Sequence, residues 1–377
     1  MNARVTLVEH LHASAHSGVI AVTGGGALLL ADLLTVPGAS STVLEARVPY
    51  AANALAEFIG AAPEQACSAA TACDIAMAGF QRARALAAGD PQFRFGLGCT
   101  ASLTTNSPKR GAHRAHIALQ TLAETRTWSV TFAKGARDRA AEERLLADIM
   151  LAALAETFDL QQSLDLDLHK GEAIDGDRSV APPRWRDILL GRVRAIPVHH
   201  ESVPTVLFPG AFNPLHDGHL AMARHAGKLF GEPVTFEICA NNVDKPQLNY
   251  LALRHRVSQF DATTPVWITN TPTFVEKARC FPAVKFVVGI DTIERVGDAK
   301  YYGGDAEQLA AAVGEIGDLG CQFLVFGRTV GGHFRSLQDV HLPQVLRTLC
   351  NAVPESEFRQ DVSSTALRKQ SHELTRR

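Results

Sequence analysis

Apolar residues in this chain come in short runs separated by glycine or by charged helical stretches. From residue 18 the order is Gly18-Val19-Ile20-Ala21-Val22, then Thr23-Gly24-Gly25-Gly26, then Ala27-Leu28-Leu29-Leu30-Ala31-Asp32-Leu33-Leu34. An unbroken apolar run, a glycine cluster and a longer apolar stretch predict a strand, a turn and a buried helix. Residues 66–86 are alanine-rich at helical spacing, 93–99 form a short apolar run, and 116–122 and 127–133 have strand character. Residues 134–158 read as one amphipathic helix, its charges at Arg137, Asp138, Arg139, Glu142, Glu143 and Arg144 preceding Leu145-Leu146 and Ile149-Met150-Leu151. This predicts a compact α/β domain over residues 1–160. Periodicity is lost through Gln161-Gln162-Ser163, Lys170-Gly171-Glu172, Asp175-Gly176-Asp177-Arg178 and Pro182-Pro183, which predicts a linker over 161–203. A second domain, 204–377, shows strand-like runs at 205–208, 234–238, 266–268, 285–288 and 322–326 with helix-like stretches between them. That alternation predicts a doubly wound parallel sheet, whose ligand sites lie beyond the carboxyl ends of its strands.

Composition narrows the ligands. The 377 residues, 46% of them hydrophobic and 20% charged, are enough for two cores. A formal charge of −2 supplies no broad positive field, which argues against a nucleic-acid backbone or an anionic membrane as partner. A phosphate-bearing ligand is therefore expected to be small and locally held. The seven cysteines are scattered, without a C-x-x-C pair, and read as reduced thiols. The first residues lack the apolar core of a secretion signal and no apolar run reaches membrane-span length, so the expected location is the cytoplasm.

The chemistry is expected just after the run Val206-Leu207-Phe208. There the chain reads Pro209-Gly210-Ala211-Phe212-Asn213-Pro214-Leu215-His216-Asp217-Gly218-His219 and enters a helix. Glycine admits backbone N–H groups close to phosphate oxygens, and the helix offers its positive end to the same anion. His216 and His219, three residues apart, share one helix face and can donate to one triphosphate. A chance pair or a metal pair are the alternatives, but a metal site needs a further protein ligand that the sequence does not place. Phosphoryl transfer asks mainly for alignment and charge neutralisation, which two imidazoles, backbone amides and Mg2+ supply.

This segment resembles the G-x-F-x-P-x-H-x-G-H signature of the nucleotidylyltransferase superfamily, of the kind found in nicotinamide or nicotinate mononucleotide adenylyltransferases. A second family signature, S-S-T-x-x-R, is matched by Ser363-Ser364-Thr365-Ala366-Leu367-Arg368. The resemblance implies a Rossmann-like sheet, a nucleoside triphosphate with Mg2+, and a small phosphorylated acceptor. It implies catalytic roles for His216, His219 and Arg368, and nucleotide contacts from Gly210, Ala211, Phe212, Gly218, Ser363, Ser364 and Thr365. Asp291, in Val288-Gly289-Ile290-Asp291, falls where the family's carboxylate meets a ribose hydroxyl. Lys245, Arg254, Arg256 and Arg328 fall where basic residues contact the acceptor. The acceptor loop departs from the nicotinate enzymes, with Asn270-Thr271-Pro272-Thr273-Phe274 in place of an S-Y-T stretch, and the acceptor and the choice between ATP and CTP stay open. Class I aminoacyl-tRNA synthetases share a His-x-Gly-His turn, but their K-M-S-K-S loop is missing here.

Residues 5–160 resemble the CinA C-terminal domain family, whose active members are nicotinamide-nucleotide amidases. The resemblance runs through Thr23-Gly24-Gly25, Val36-Pro37-Gly38-Ala39-Ser40, Val48-Pro49-Tyr50 and Gly135-Ala136-Arg137-Asp138-Arg139. Active members carry E-S-C-T-G-G with serine as nucleophile, whereas this chain has Ile20-Ala21-Val22-Thr23-Gly24-Gly25. Ala21 has no hydroxyl, so the domain is expected to be amidase-inactive and to serve nucleotide binding or homo-oligomerisation. The alternatives for the whole chain are a non-catalytic nucleotide sensor and a two-step amidase and adenylyltransferase.

Overall fold

The computed structural model describes residues 2–107, 110–241 and 246–359. The chain divides into two compact units, Met1–Arg186 with Asp244–Ala252, and Asp187–Val243 with Leu253–Arg377. Among the described residues no helix is long and apolar enough to cross a membrane. All seven cysteines are free.

The first unit runs α1 (Ala3–Ala13), β1 (Ser17–Thr23), α2 (Ala27–Thr35), α3 (Ala39–Thr42), β2 (Val43–Arg47), α4 (Ala52–Ile59), α5 (Ala69–Leu86), β3 (Arg94–Ser102), β4 (His113–Thr121), β5 (Glu124–Phe132), α6 (Arg139–Thr157), β6 (Ile174–Val180) and α7 (Pro183–Leu189). Its sheet has the order β2-β1-β3-β4-β5-β6. β1 is parallel to β2 and β3, and the remaining pairs are antiparallel. One sheet face buries Ile20, Val22, Phe95, Leu97, Ile117 and Leu119 under Leu7, Leu11, Leu29, Leu33, Leu146 and Met150 of α1, α2 and α6. α5 lies so close to β3 on the other face that side chains are excluded: a Cβ on Gly96 would fall 2.0 Å from the Ala76 carbonyl oxygen and one on Gly98 2.4 Å from that of Ala72.

The stretch 161–203, expected to lack regular structure, contains β6, which pairs with β5. β6 is an edge strand with mostly exposed polar residues, so it shows no apolar alternation to read. The segment before it is pinned by Glu172, whose carboxylate accepts from the Ala133 and His169 amides at 2.7 and 2.8 Å and from Arg137 Nη1 at 2.7 Å. Both members of the Glu172–Arg137 pair are buried.

The second unit runs β7 (Ala195–Pro197), β8 (Val206–Pro209), α8 (Asp217–Phe230), β9 (Val234–Cys239), the part of α9 (Tyr250–Val257) from Leu253 onward, β10 (Val266–Thr269), α10 (Phe274–Cys280), β11 (Lys285–Gly289), α11 (Ile290–Val296), α12 (Ala306–Asp318), β12 (Gln322–Phe326), β13 (Arg328–Val330), β14 (His333–Arg335), α13 (Gln344–Arg347) and β15 (Cys350–Val353). The seven-stranded sheet has the order β15-β12-β11-β8-β9-β10-β7, parallel except for β7. From β8 the chain winds out through β9 and β10, then returns to the other side of β8 for β11, β12 and β15. The winding direction therefore reverses between β8 and β11, which makes the crevice beyond their carboxyl ends the place where such sheets bind ligands. β15 was not legible as a strand because Cys350-Asn351-Ala352-Val353 is partly exposed at the sheet edge.

Glu172 yields a stability prediction. Burial alone would raise its carboxyl; Arg137 and the two amides outweigh that and hold it below the ordinary 4.5. A depressed carboxyl stabilises the fold above that ordinary value, and the contribution fades as pH falls through the native titration range. Glu172→Ala, which leaves Arg137 buried and unpaired, is expected to destabilise the first unit by about 3–5 kcal/mol. The urea midpoint followed by far-UV circular dichroism checks this; a midpoint unchanged at pH 7 would refute it.

Candidate active site

The turn between β8 and α8 is held at several points. The Gly210 N–H donates to the Glu237 carbonyl at 3.0 Å, tying the strand exit to β9. Phe212 sits in the left-handed region at φ 42°, with its ring 1% exposed and in contact with Phe208, Phe236 and Phe260 at centroid distances of 5.5, 5.2 and 5.6 Å. The ring also lies over Gly210, where a Cβ would come within 2.4 Å of it. Glycine at 210 is therefore required by packing, whatever its use for phosphate. Gln259 holds the far side of the turn: its Oε1 accepts from the Leu215 amide at 2.7 Å and its Nε2 donates to the Phe212 carbonyl at 2.8 Å.

His216 is the N-cap of α8 and His219 stands in its first turn. Their rings stack at 3.7 Å between centroids, and the edge of Phe212 meets His219 at 5.1 Å. The His216 N–H donates to His219 Nδ1 at 3.3 Å, so a neutral His219 carries its proton on Nε2 and offers that N–H as a donor. Burial, and then the neighbouring His216, push His219 down from 6.5 to about 4. His216 is also lowered, by burial, against an opposing pull from Asp217. At neutral pH both imidazoles are uncharged, at the positive end of a helix. Gly218 is buried in the first helical turn, and Ala211 is exposed.

β11, the neighbour of β8 across the reversal point, leads through Gly289 into α11, with Asp291 in its first turn. Asp291 is ion-paired with Arg328, which opens β13 just after β12. Two residues expected to serve different substrates are thus brought together. Arg335 on β14 pairs with Glu294 of α11 at 2.7 Å, a second tie between the hairpin and that helix.

Residues 207–370 match the model of the cytidylyltransferase-like family. The second unit thus carries a cytidylyltransferase-like domain, and that implies nucleotidyl transfer and a nucleotide substrate. No curated protein matches the chain. Among solved structures, the chain is similar to a competence/damage inducible protein from Agrobacterium tumefaciens, at 17% identity over 43% of this chain and 98% of that one, TM-score 0.34. It is also similar to competence-damaged protein (CinA) superfamily proteins from Escherichia coli, at 18% identity over 42% and 88% with TM-score 0.33, and from Klebsiella pneumoniae, at 16% identity over 42% and 99% with TM-score 0.34.

Within the cytidylyltransferase-like domain, Ser363, Ser364, Thr365 and Arg368 lie outside the described residues, as does Lys245. The chain leading to the serines is anchored, however. The His225 ring of α8 meets the rings of Phe326 and Phe358 at 5.7 and 5.9 Å, and those two phenylalanines meet edge to face at 4.8 Å. Arg254 is exposed on α9. The described residues 246–252 before it group with the first unit, where the Tyr250 N–H donates to Thr125 Oγ1 and its hydroxyl to the Leu122 carbonyl, both at 3.0 Å. Among the described residues no three His, Cys, Asp or Glu side chains gather in a way that could hold a metal.

Sequence reasoning missed two supports. Gln259 is one. The other is the buried pair Lys277–Glu237 at 2.7 Å, where Glu237 also accepts from the Thr269 hydroxyl, itself bonded by Thr271 at 2.9 Å. Burial opposes the Lys277 ammonium, and Glu237 outweighs it and raises its pKa. A glutamate inside the run Val234-Thr235-Phe236-Glu237-Ile238 was the available signal, since a charge in a buried strand needs a partner.

The histidine geometry predicts a pH response. A depressed histidine pKa favours the folded state above the unfolded value of 6.5; that contribution declines as pH falls from 6.5 towards about 4 and then levels off. Nitrogen-15 spectra of the histidine rings are expected to show His219 as a neutral Nε2–H tautomer at pH 7 that titrates near 4. Titration at or above 6.5 would contradict the buried, stacked arrangement.

Proposed function

We propose that the cytidylyltransferase-like domain transfers a nucleoside monophosphate, in the first instance AMP from magnesium-bound ATP, to a phosphorylated acceptor such as nicotinamide or nicotinate mononucleotide. The observation that carries this reading is the pair of stacked imidazoles at the first turn of α8, at the point where the sheet reverses direction. In this reaction an acceptor phosphate oxygen attacks the α-phosphorus, the bond to the α,β-bridging oxygen breaks, and pyrophosphate leaves with the electron pair. No side chain forms a bond to phosphorus. His216 and His219 donate to phosphate oxygens as charge shifts toward the leaving group, where uncharged N–H donors fixed in advance cost no reorganisation. Ser363, Ser364, Thr365 and Arg368 are assigned to the leaving pyrophosphate, Asp291 to the ribose, and Arg254 and Arg328 to the acceptor. Magnesium arrives on the triphosphate as part of the substrate.

The test is pyrophosphate release across triphosphates and phosphorylated acceptors. His219→Ala is expected to lower kcat by about 100- to 1,000-fold with the fold intact. A rate near that of the wild type with any productive substrate pair would remove His219 from the reaction.

The first unit is proposed to bind or assemble and not to hydrolyse amides. Ala21 is fully buried and packs with Leu55, Ile59 and Ile75. The turn beyond it already holds a carboxylate, since Glu143 Oε1 accepts from the Gly26 and Leu28 amides at 2.8 and 3.3 Å. Thr23 lies two residues on, roughly 6–7 Å along the strand, far more than the ~1 Å misplacement that already costs about 100-fold. The full chain is expected to release no ammonia from nicotinamide mononucleotide. Release that disappears in Thr23→Ala would show that a neighbouring hydroxyl has taken over the nucleophile's part.

A further inference from the structure

We propose that Gln259 is a positioning residue for nucleotidyl transfer, setting the geometry of the turn that presents His216 and His219. The inference rests on the nucleotidyl-transfer reading of this site. Phe212 and Leu215 stand on either side of Asn213-Pro214, and each offers one backbone group toward Gln259. A carboxamide end carries a donor and an acceptor side by side, and Gln259 uses both, Nε2 on the Phe212 carbonyl at 2.8 Å and Oε1 on the Leu215 amide at 2.7 Å. The bracketed stretch holds Phe212 at φ 42°, a conformation that a non-glycine residue keeps only when its surroundings over-determine it. The residue after Leu215 is His216, whose amide in turn orients the His219 ring through Nδ1 at 3.3 Å. A chain of contacts thus runs from the Gln259 amide through the turn backbone to the donor nitrogen of His219. Gln259 acts here through the backbone of the turn.

Three variants separate this role from mere structural support. Gln259→Ala removes both bonds and is expected to lower kcat by about 100-fold, the usual cost of a ~1 Å misplacement, with a smaller change in triphosphate KM. Gln259→Asn keeps the chemistry but is one methylene too short, and is expected to fall between. Gln259→Glu at neutral pH keeps the acceptor for Leu215 but sets an anionic oxygen against the Phe212 carbonyl. Once protonated, the carboxyl donates and accepts again, so the activity of Gln259→Glu relative to wild type at each pH is expected to rise from pH 8 to pH 5. A folded Gln259→Ala with kcat within twofold of wild type overturns the proposal, and so does a flat ratio for Gln259→Glu if the alanine variant fails to fold. Hydrogen exchange at the Leu215 amide supplies a readout independent of turnover, with at least tenfold acceleration expected in Gln259→Ala. If the wild type transfers no nucleotide with any substrate pair, the function is refuted, and the positioning role for transfer falls with it. The exchange result then decides separately whether Gln259 holds the turn, since an unchanged Leu215 rate would show that it does not.

Discussion

An aromatic ring laid over a glycine sets the geometry on which the second unit's site depends. With its Cβ excluded by the Phe212 ring, Gly210 lets that ring fold back into a socket of Phe208, Phe236 and Phe260. The left-handed backbone at Phe212 costs of order 1–3 kcal/mol, and burial of the ring offsets about the same amount. The balance leaves a turn that is neither slack nor free to be rearranged. Glu237, Gln259 and the His216–His219 contact then fix its entry, middle and exit. A change in any one is transmitted to the others, because all act on ten consecutive residues.

Electrostatics of the turn follow from the same packing. Burial removes the charge from His219 and lowers His216, so at neutral pH this helix end presents N–H dipoles in place of full cations. That suits a chain with a formal charge of −2, which has no excess of positive charge to spend on attracting anions from a distance. Asp217, in the first turn of α8, stabilises that helix end and opposes a phosphate there. Neutral donors can still serve such an anion, since in a partly desolvated pocket a fixed dipole is worth more than in water.

Much of this was legible along the chain. The runs at 205–208, 234–238, 266–268, 285–288 and 322–326 all became parallel strands, and the turn containing both histidines lies after the first of them. These elements are buried on both faces, so their apolar character is continuous and easy to read. β6 and β15 escaped because edge strands are partly wetted and carry polar residues. Gln259 escaped for a different reason: a single amide side chain 47 residues from Phe212 has no local pattern, and only the fold brings the two together. The pairing of Asp291 with Arg328 was hidden likewise, because its partners sit at the ends of neighbouring strands 37 residues apart in sequence.

The two units also contain a matched comparison of what a strand, a turn and a helix can become. In each, a strand runs into a turn with glycine and then into a helix whose first amides have no partner within the helix. In the first unit those groups are satisfied from within: Glu143 takes the Gly26 and Leu28 amides, Arg139 donates to the Gly24 carbonyl at 3.0 Å, and Ala21 is packed with Leu55 and Ile59. An incoming phosphate or carboxylate would have to displace a carboxylate covalently tethered to the fold, at a cost a small ligand cannot readily meet. In the second unit the corresponding helix end carries two stacked imidazoles beside the exposed carboxylate of Asp217, and an imidazole, unlike a carboxylate, can donate to an anion. The same local architecture thus has its first amides taken by a tethered carboxylate in one unit and flanked by two imidazoles in the other, and the difference lies in side chains supplied by the surrounding fold.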